Sequence, residues 1–77
     1  MNNKTTKNSL EKFKTLGKNI AAQRKKMKYS QNVLAEKVNI SREHLAKIET
    51  AKRAVSLDLL MDIASALEIK VRELIDF

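Results

Sequence analysis

The 77-residue chain is expected to fold as an all-α domain of five helices, and three observations carry that expectation. It has no proline and a single glycine, so almost nothing interrupts helical backbone between one capping residue and the next. Its apolar residues return at three- and four-residue intervals, the period of a helix with one buried face. Hydrophobic residues make up 43% of the chain, a composition that favours uninterrupted helices over a turn-rich β fold. The aromatics are only Phe13, Tyr29 and Phe77, so the core must be aliphatic. A chain this short buries only about 60% of its unfolded surface, which suits one compact domain built from local contacts. The absence of cysteine removes disulfides and thiolate metal ligands as supplements to that core.

Residues 1–9 (MNNKTTKNS) are polar and aperiodic and read as a flexible basic arm, leaving residues 10–77 as the domain. From Leu10 a helical pattern begins, with Phe13, Leu16, Ile20, Arg24 and Met27 on one face. Gly17 interrupts it at a cost of about 1 kcal/mol. Either another backbone packs close there or the glycine is merely tolerated. Tyr29-Ser30 ends this helix, and Ser30 is a good N-cap for a second, whose apolar stripe is Leu34, Ala35 and Val38. Asn39 follows as a residue suited to left-handed backbone. Ser41 caps a third helix running to about Thr50, with Leu45 and Ile48 pointing inward. Lys52-Arg53-Ala54-Val55 is a basic connector. Ser56 caps a fourth helix with Leu57, Leu60, Ile63, Ala64 and Leu67 as its core face. Ile69 to Phe77 reads as a fifth short helix through Val71, Leu74 and Ile75.

The chain carries 16 Lys+Arg against 9 Asp+Glu, a net charge of +7. Such an excess points to an anionic partner, nucleic acid or a membrane surface. It is unevenly placed. Residues 1–30 hold nine basic residues and the single acid Glu11, whereas residues 56–77 hold five acids and only Lys70 and Arg72. The C-terminal part is therefore not expected to face a polyanion. No stretch approaches the roughly 18 consecutive apolar residues of a membrane span, and the N-terminus lacks the apolar region of a secretory signal. A soluble, cytoplasmic protein with no membrane partner is expected.

The informative segment is SQNVLAEKVNISREHLAKIETAKRAVS, residues 30–56. Two short helices joined by a tight turn form the unit that presents a helix to the DNA major groove. With Ser30, Gln31, Leu34, Ala35, Asn39, Ile40, Ser41, Leu45, Ile48, Glu49, Lys52 and Arg53 in register, the segment resembles the Cro/repressor-type, or XRE, helix-turn-helix family. The resemblance reaches from LGKNIAAQRKKMK (16–28) to LMDIASALEIKVRELI (60–75) and covers roughly residues 13–75. It implies a five-helix, lambda-repressor-like domain with the helix-turn-helix at helices two and three. The family commonly has glycine where Asn39 and Ala51 stand, and proline where Val55 stands.

The resemblance also implies roles. Ser41, Arg42, Glu43, His44 and Lys47 are the expected base-contacting residues of helix three. Arg42 and Lys47 are suited to guanine O6/N7. Glu43 would either accept from a cytosine amino group or simply favour the positive end of the helix dipole. His44 is either a DNA contact or a passive surface residue. Gln31, Lys52 and Arg53 are expected at phosphates. Arg24 and Glu49 resemble a partly buried ion pair tying helix one to the recognition helix. The implied partner is double-stranded DNA, and the implied function a sequence-specific transcriptional regulator, a repressor or autoregulator.

One short helix reads few base pairs, so a homodimer on a palindromic operator is expected. Its interface is expected in the acidic C-terminal part, at Leu67, Ile69, Val71, Leu74, Ile75 and Phe77. An alternative keeps the fold but has the chain act mainly through a protein partner, as an antitoxin-like or anti-repressor component. Catalysis is not expected. One histidine and no cysteine supply neither a nucleophile with its base nor a metal ligand set, and there is no glycine-rich phosphate loop. No cofactor or metal is expected. Three scattered aromatics make no stacking platform for single strands.

Overall fold

The computed structural model describes residues 3–77, with side chains from residue 9 onward. Four α-helices follow one another: α1 (Asn3–Lys26), α2 (Gln31–Lys37), α3 (Arg42–Glu49) and α4 (Leu57–Ala66). A single 3-10 turn, η1 (Val71–Glu73), closes the chain. No strand occurs among the described residues, so the fold is all-α as expected.

Three of the helix starts are set by serine. Ser30 Oγ accepts from Val33 N, Ser41 Oγ from His44 N and Ser56 Oγ from Leu59 N, at 3.0–3.2 Å. Each satisfies a backbone donor that has no partner within its helix. The helix ends share one geometry as well. Lys28, Asn39, Ala51 and Glu68 all have φ near +60°, at 60°, 62°, 60° and 58°. At each, the following residue's N–H reaches back five residues: Tyr29 to Arg24, Ile40 to Ala35, Lys52 to Lys47 and Ile69 to Ala64. These are Schellman closures, which glycine normally makes, and here none of the four positions is glycine. Asn39 and Ala51, standing where the resembling family has glycine, thus adopt the conformation glycine would.

The core is Leu16, Ile20, Leu34, Ala35, Val38, Leu45, Ile48, Leu60, Ile63, Ala64, Leu67 and Leu74, joined at its edge by Met27, Tyr29, Ile40, Val55, Ile69 and Val71. It is aliphatic, and α3 lies in it against α1 and α2. The long dimension, 39 Å against 23 and 20 Å, reflects α1, whose 24 residues span about 36 Å.

Several expectations are corrected. The fifth element is one 3-10 turn and not a helix from Ile69 to Phe77. Glu73 Oε2 accepts from Lys70 N and starts the turn, Leu74 drops fully into the core, and Ile75 and Phe77 then lie exposed. Leu57 was expected in the core but is 69% exposed, because the first residue after the cap sits beyond the edge of the packed layer. Phe13, one turn above buried Leu16, is exposed too. The polar segment 1–9 falls partly outside the described residues. From Asn3 its backbone is already helix, seven residues before the apolar periodicity begins. No proline or glycine stands between Asn3 and Gly17, and extending an existing helix is far easier than starting one.

Candidate nucleic-acid interface

α2 and α3 are joined by Val38–Ser41, closed by the Asn39 turn and reopened by the Ser41 cap. The turn holds α3 with Leu45, Ile48 and Glu49 buried. Glu43, Lys47 and Thr50, spaced four and three residues apart, form the exposed ridge, with Ala46 half-buried beside it. Arg42 is exposed at the side nearest α2, and His44 is half-buried on the opposite flank. Ser41 has its oxygen committed to the cap, which leaves its hydroxyl hydrogen free to donate. Lys52 and Arg53 are exposed just past the end of α3. Thr50 was missed in the sequence. Its place on the Glu43–Lys47 ridge is what could have found it. Its Oγ1 donates to Ala46 O at 2.8 Å, so only acceptor capacity remains.

Behind this face lies a connected polar network. Arg24 Nε donates to Glu49 Oε2 at 2.8 Å and its Nη2 to Glu49 Oε1 at 3.1 Å, a bidentate pair between α1 and α3. Arg24 Nη1 donates to Tyr29 O at 2.9 Å, in the α1–α2 connection. Both charged residues are buried, at 8% and 9% exposure. Gln31, the first residue of α2, donates from Nε2 to Glu49 Oε1 at 2.9 Å. Its Oε1 accepts from Arg42 Nη1 at 3.4 Å, the long end of hydrogen-bond geometry. The direction of the amide is forced: a carboxylate only accepts and a guanidinium only donates. Gln31 therefore keeps one amide hydrogen free at the surface, and sequence reasoning had no means of seeing its bond to a residue 18 positions away.

Gly17 explains how close α1 comes. A Cβ at this position would lie 2.5 Å from the Glu49 carbonyl oxygen and 2.7 Å from that of Ile48. The backbone of α1 thus rests directly on the last turn of α3. Of the two alternatives left open by the sequence, close backbone packing holds.

The expected dimer residues divide. Leu67 and Leu74 are 1% and 0% exposed, so their apolar surface is taken up by the chain's own core and is not available to a partner. Ile69 and Val71 are half-buried against that core, while Ile75 and Phe77 are exposed. No group of three or more metal-binding side chains occurs among the described residues, and no helix there is long and apolar enough to cross a membrane.

Residues 20–74 match the helix-turn-helix family model. The immunity repressor protein of Bacillus phage phi105 is 44% identical over 61 residues, 79% of this chain and 42% of that one. The chain thus spans about two-fifths of that relative's length. The crystal structure of the restriction-modification controller protein C.AhdI from Aeromonas hydrophila superposes with a TM-score of 0.78 at 31% identity, covering 80% of this chain and 94% of that one.

Proposed function

The chain belongs to the helix-turn-helix family, and from that premise we propose that it is a sequence-specific regulator of transcription, not an enzyme, that places α3 in the major groove of double-stranded DNA. The observation that carries this reading is the mounting of α3. It is capped by Ser41, closed by Ala51, fixed to α1 through Arg24–Glu49, and its free face offers Arg42 and Lys47. A helix held this firmly loses little further freedom on binding, so its side chains meet base edges pre-positioned.

On this reading Ser41, Arg42, Glu43, His44 and Lys47 face the bases. Gln31 donates its free amide hydrogen to a phosphate beside the N-terminus of α2, and Lys52 and Arg53 reach the backbone past α3. His44, being half-buried at the flank, would reach only the edge of the site. The neighbours in sequence and structure are a phage immunity repressor and a restriction-modification controller, which favours repression or autoregulation in the cytoplasm. Twofold pairing of chains would set two α3 helices about 34 Å apart on a palindrome.

Selection of bound duplexes from a random pool tests the whole reading. It should return two inverted half-sites with centres about ten base pairs apart. Recovery of no sequence preference would refute specific recognition, and recovery of one unrepeated half-site would refute pairing.

A further inference from the structure

Two exposed strips on different helices have matching form and opposite charge. On α1, Leu10 and Phe13 are 47% and 40% exposed and lie one turn apart. Lys14 and Lys18 run beside them, Lys14 four residues from Leu10 and Lys18 four from Lys14, and both are exposed. On α4, Leu57 and Met61 are 69% and 53% exposed and also lie one turn apart. Asp58 and Asp62, both exposed, run beside them at the same spacing. Each strip is therefore an apolar pair with a row of two like charges along its edge. Within the chain they do not cover one another, since all four apolar side chains are open. Among the described residues the one ion pair is Arg24–Glu49, so none of these four charges has an ionic partner there.

The α1 strip belongs to the part of the helix that precedes the family match at residue 20, where α1 runs out along the 39 Å dimension of a body only 23 by 20 Å across. Of the seven large apolar side chains exposed among the described residues, these four form two pairs each flanked by a row of like charge, and the charges choose between candidates for what covers them. DNA would be repelled by Asp58 and Asp62. A second copy supplies the complement to both strips at once.

We infer that the N-terminal half of α1 docks on α4 of a second copy, Leu10 and Phe13 against Leu57 and Met61, with Lys14 and Lys18 facing Asp58 and Asp62. Under twofold symmetry each copy gives its α1 strip and receives on its α4 strip, so the contact is made twice. The inference rests on the dimer reading above and moves its interface from the chain terminus to these two helices.

The test is sedimentation of the full chain over a range of concentrations, with circular dichroism to verify helicity. Because all the altered residues are exposed, the fold should survive each change. The double reversal Lys14→Glu/Lys18→Glu should weaken dimerisation about tenfold, as should Asp58→Lys/Asp62→Lys, by setting like charges face to face. Combining all four should restore the dimer to within about threefold of wild type, because the pairs are then re-formed with sign exchanged. Phe13→Ser should weaken the dimer with no loss of helicity. A dimer indifferent to all of these, or a quadruple variant weaker than either double, overturns this contact while leaving the dimer standing. Lysine reversals that reduce duplex binding but not dimerisation overturn it too, by placing Lys14 and Lys18 at DNA. A wild-type chain that stays monomeric even on an operator-length duplex removes the dimer and this interface together.

Discussion

Replacing Gly17 by alanine sets two effects of opposite sign against each other. In a helix interior alanine is favoured over glycine by about 1 kcal/mol, so on propensity alone the change should stabilise α1. Against this, the added Cβ would sit 2.5 Å from the Glu49 carbonyl oxygen and 2.7 Å from that of Ile48. A comfortable carbon–oxygen contact is longer by several tenths of an ångström, and the obstacle is helix backbone that cannot rotate away. α1 would have to lift from α3, yet it is tied there two turns onward by Arg24–Glu49, and Asn19 holds it to the C-terminal segment, its Nδ2 donating to Leu74 O at 2.8 Å. Overpacking of this kind costs about 1–3 kcal/mol, and against rigid backbone the upper part of that range applies.

The clash should therefore win, leaving a net loss of about 1–2 kcal/mol after the propensity gain. For a domain of this size that lowers Tm by about 4–8 °C for each kcal/mol. Thermal unfolding followed by circular dichroism reads the effect, with Lys12→Ala as a control, since Lys12 is exposed on the same helix and lies outside the strip assigned to the partner contact. A Gly17→Ala variant as stable as wild type, or more so, would overturn this expectation. It would mean that α1 and α3 are not in backbone contact and that the glycine is merely tolerated.

The four left-handed helix ends give the opposite prediction: Lys28→Gly, Ala51→Gly and Glu68→Gly should each raise stability by up to about 1 kcal/mol, read as a higher urea midpoint, because glycine relieves the positive φ without losing a buried side chain. At a dilution that keeps the chain monomeric, Leu74→Ala should cost about 2–5 kcal/mol and Leu57→Ala less than about 0.5; equal costs in denaturant unfolding there would contradict their placement at 0% and 69% exposure. On a panel of single-base duplex variants, Arg42→Ala or Lys47→Ala should relax preference at one position by about 1–3 kcal/mol. Lys52→Ala or Arg53→Ala should instead weaken every duplex alike and lower the salt slope by about one.

What the sequence made legible was mostly what is local. The three serine caps, the Asn39 turn and the inward stripes of α2 and α3 all depend on residues within one or two turns. Each was readable in place for that reason. Ala51 was not, because alanine carries no sign of a left-handed conformation, and only the return of Lys52 N to Lys47 O imposes it. Periodicity overreached at the ends. Phe13 and Leu57 continue the core rhythm of their helices, but rhythm says which face a residue is on and not whether anything lies opposite. The same limit misplaced the last element, where Val71, Leu74 and Ile75 keep helical spacing while only Leu74 is fully buried and Val71 reaches no further than the edge of the core. At the site, the exposed face of α3 followed from its period. The attachment of Gln31 to Glu49, and of Gly17 to the end of α3, joins segments far apart in sequence and has no local signature.

The Arg24–Glu49 pair raises a separate question, because burying two charges often adds no net stability over well-packed apolar residues. Its value is better sought in direction. Apolar contacts between α1 and α3 would allow one helix to roll on the other at little cost. A planar guanidinium does not. Arg24 engages Glu49 through Nε and Nη2 and the Tyr29 carbonyl through Nη1, and Glu49 in turn holds Gln31, whose oxygen meets Arg42. Three helices and a surface arginine are thus oriented from one buried point. If that is the role, stability and specificity should separate. Glu49→Ala alone should cost about 3–5 kcal/mol by leaving Arg24 buried and unpaired. The double replacement Arg24→Met/Glu49→Leu should recover most of that loss and yet leave Gln31 and Arg42 without their anchor. Its duplex selection should then give a less defined half-site than wild type, at a Tm close to that of wild type. A double variant that is stable and reads the same half-site as sharply would show that packing alone orients the recognition helix, and that the network does not set how bases are read.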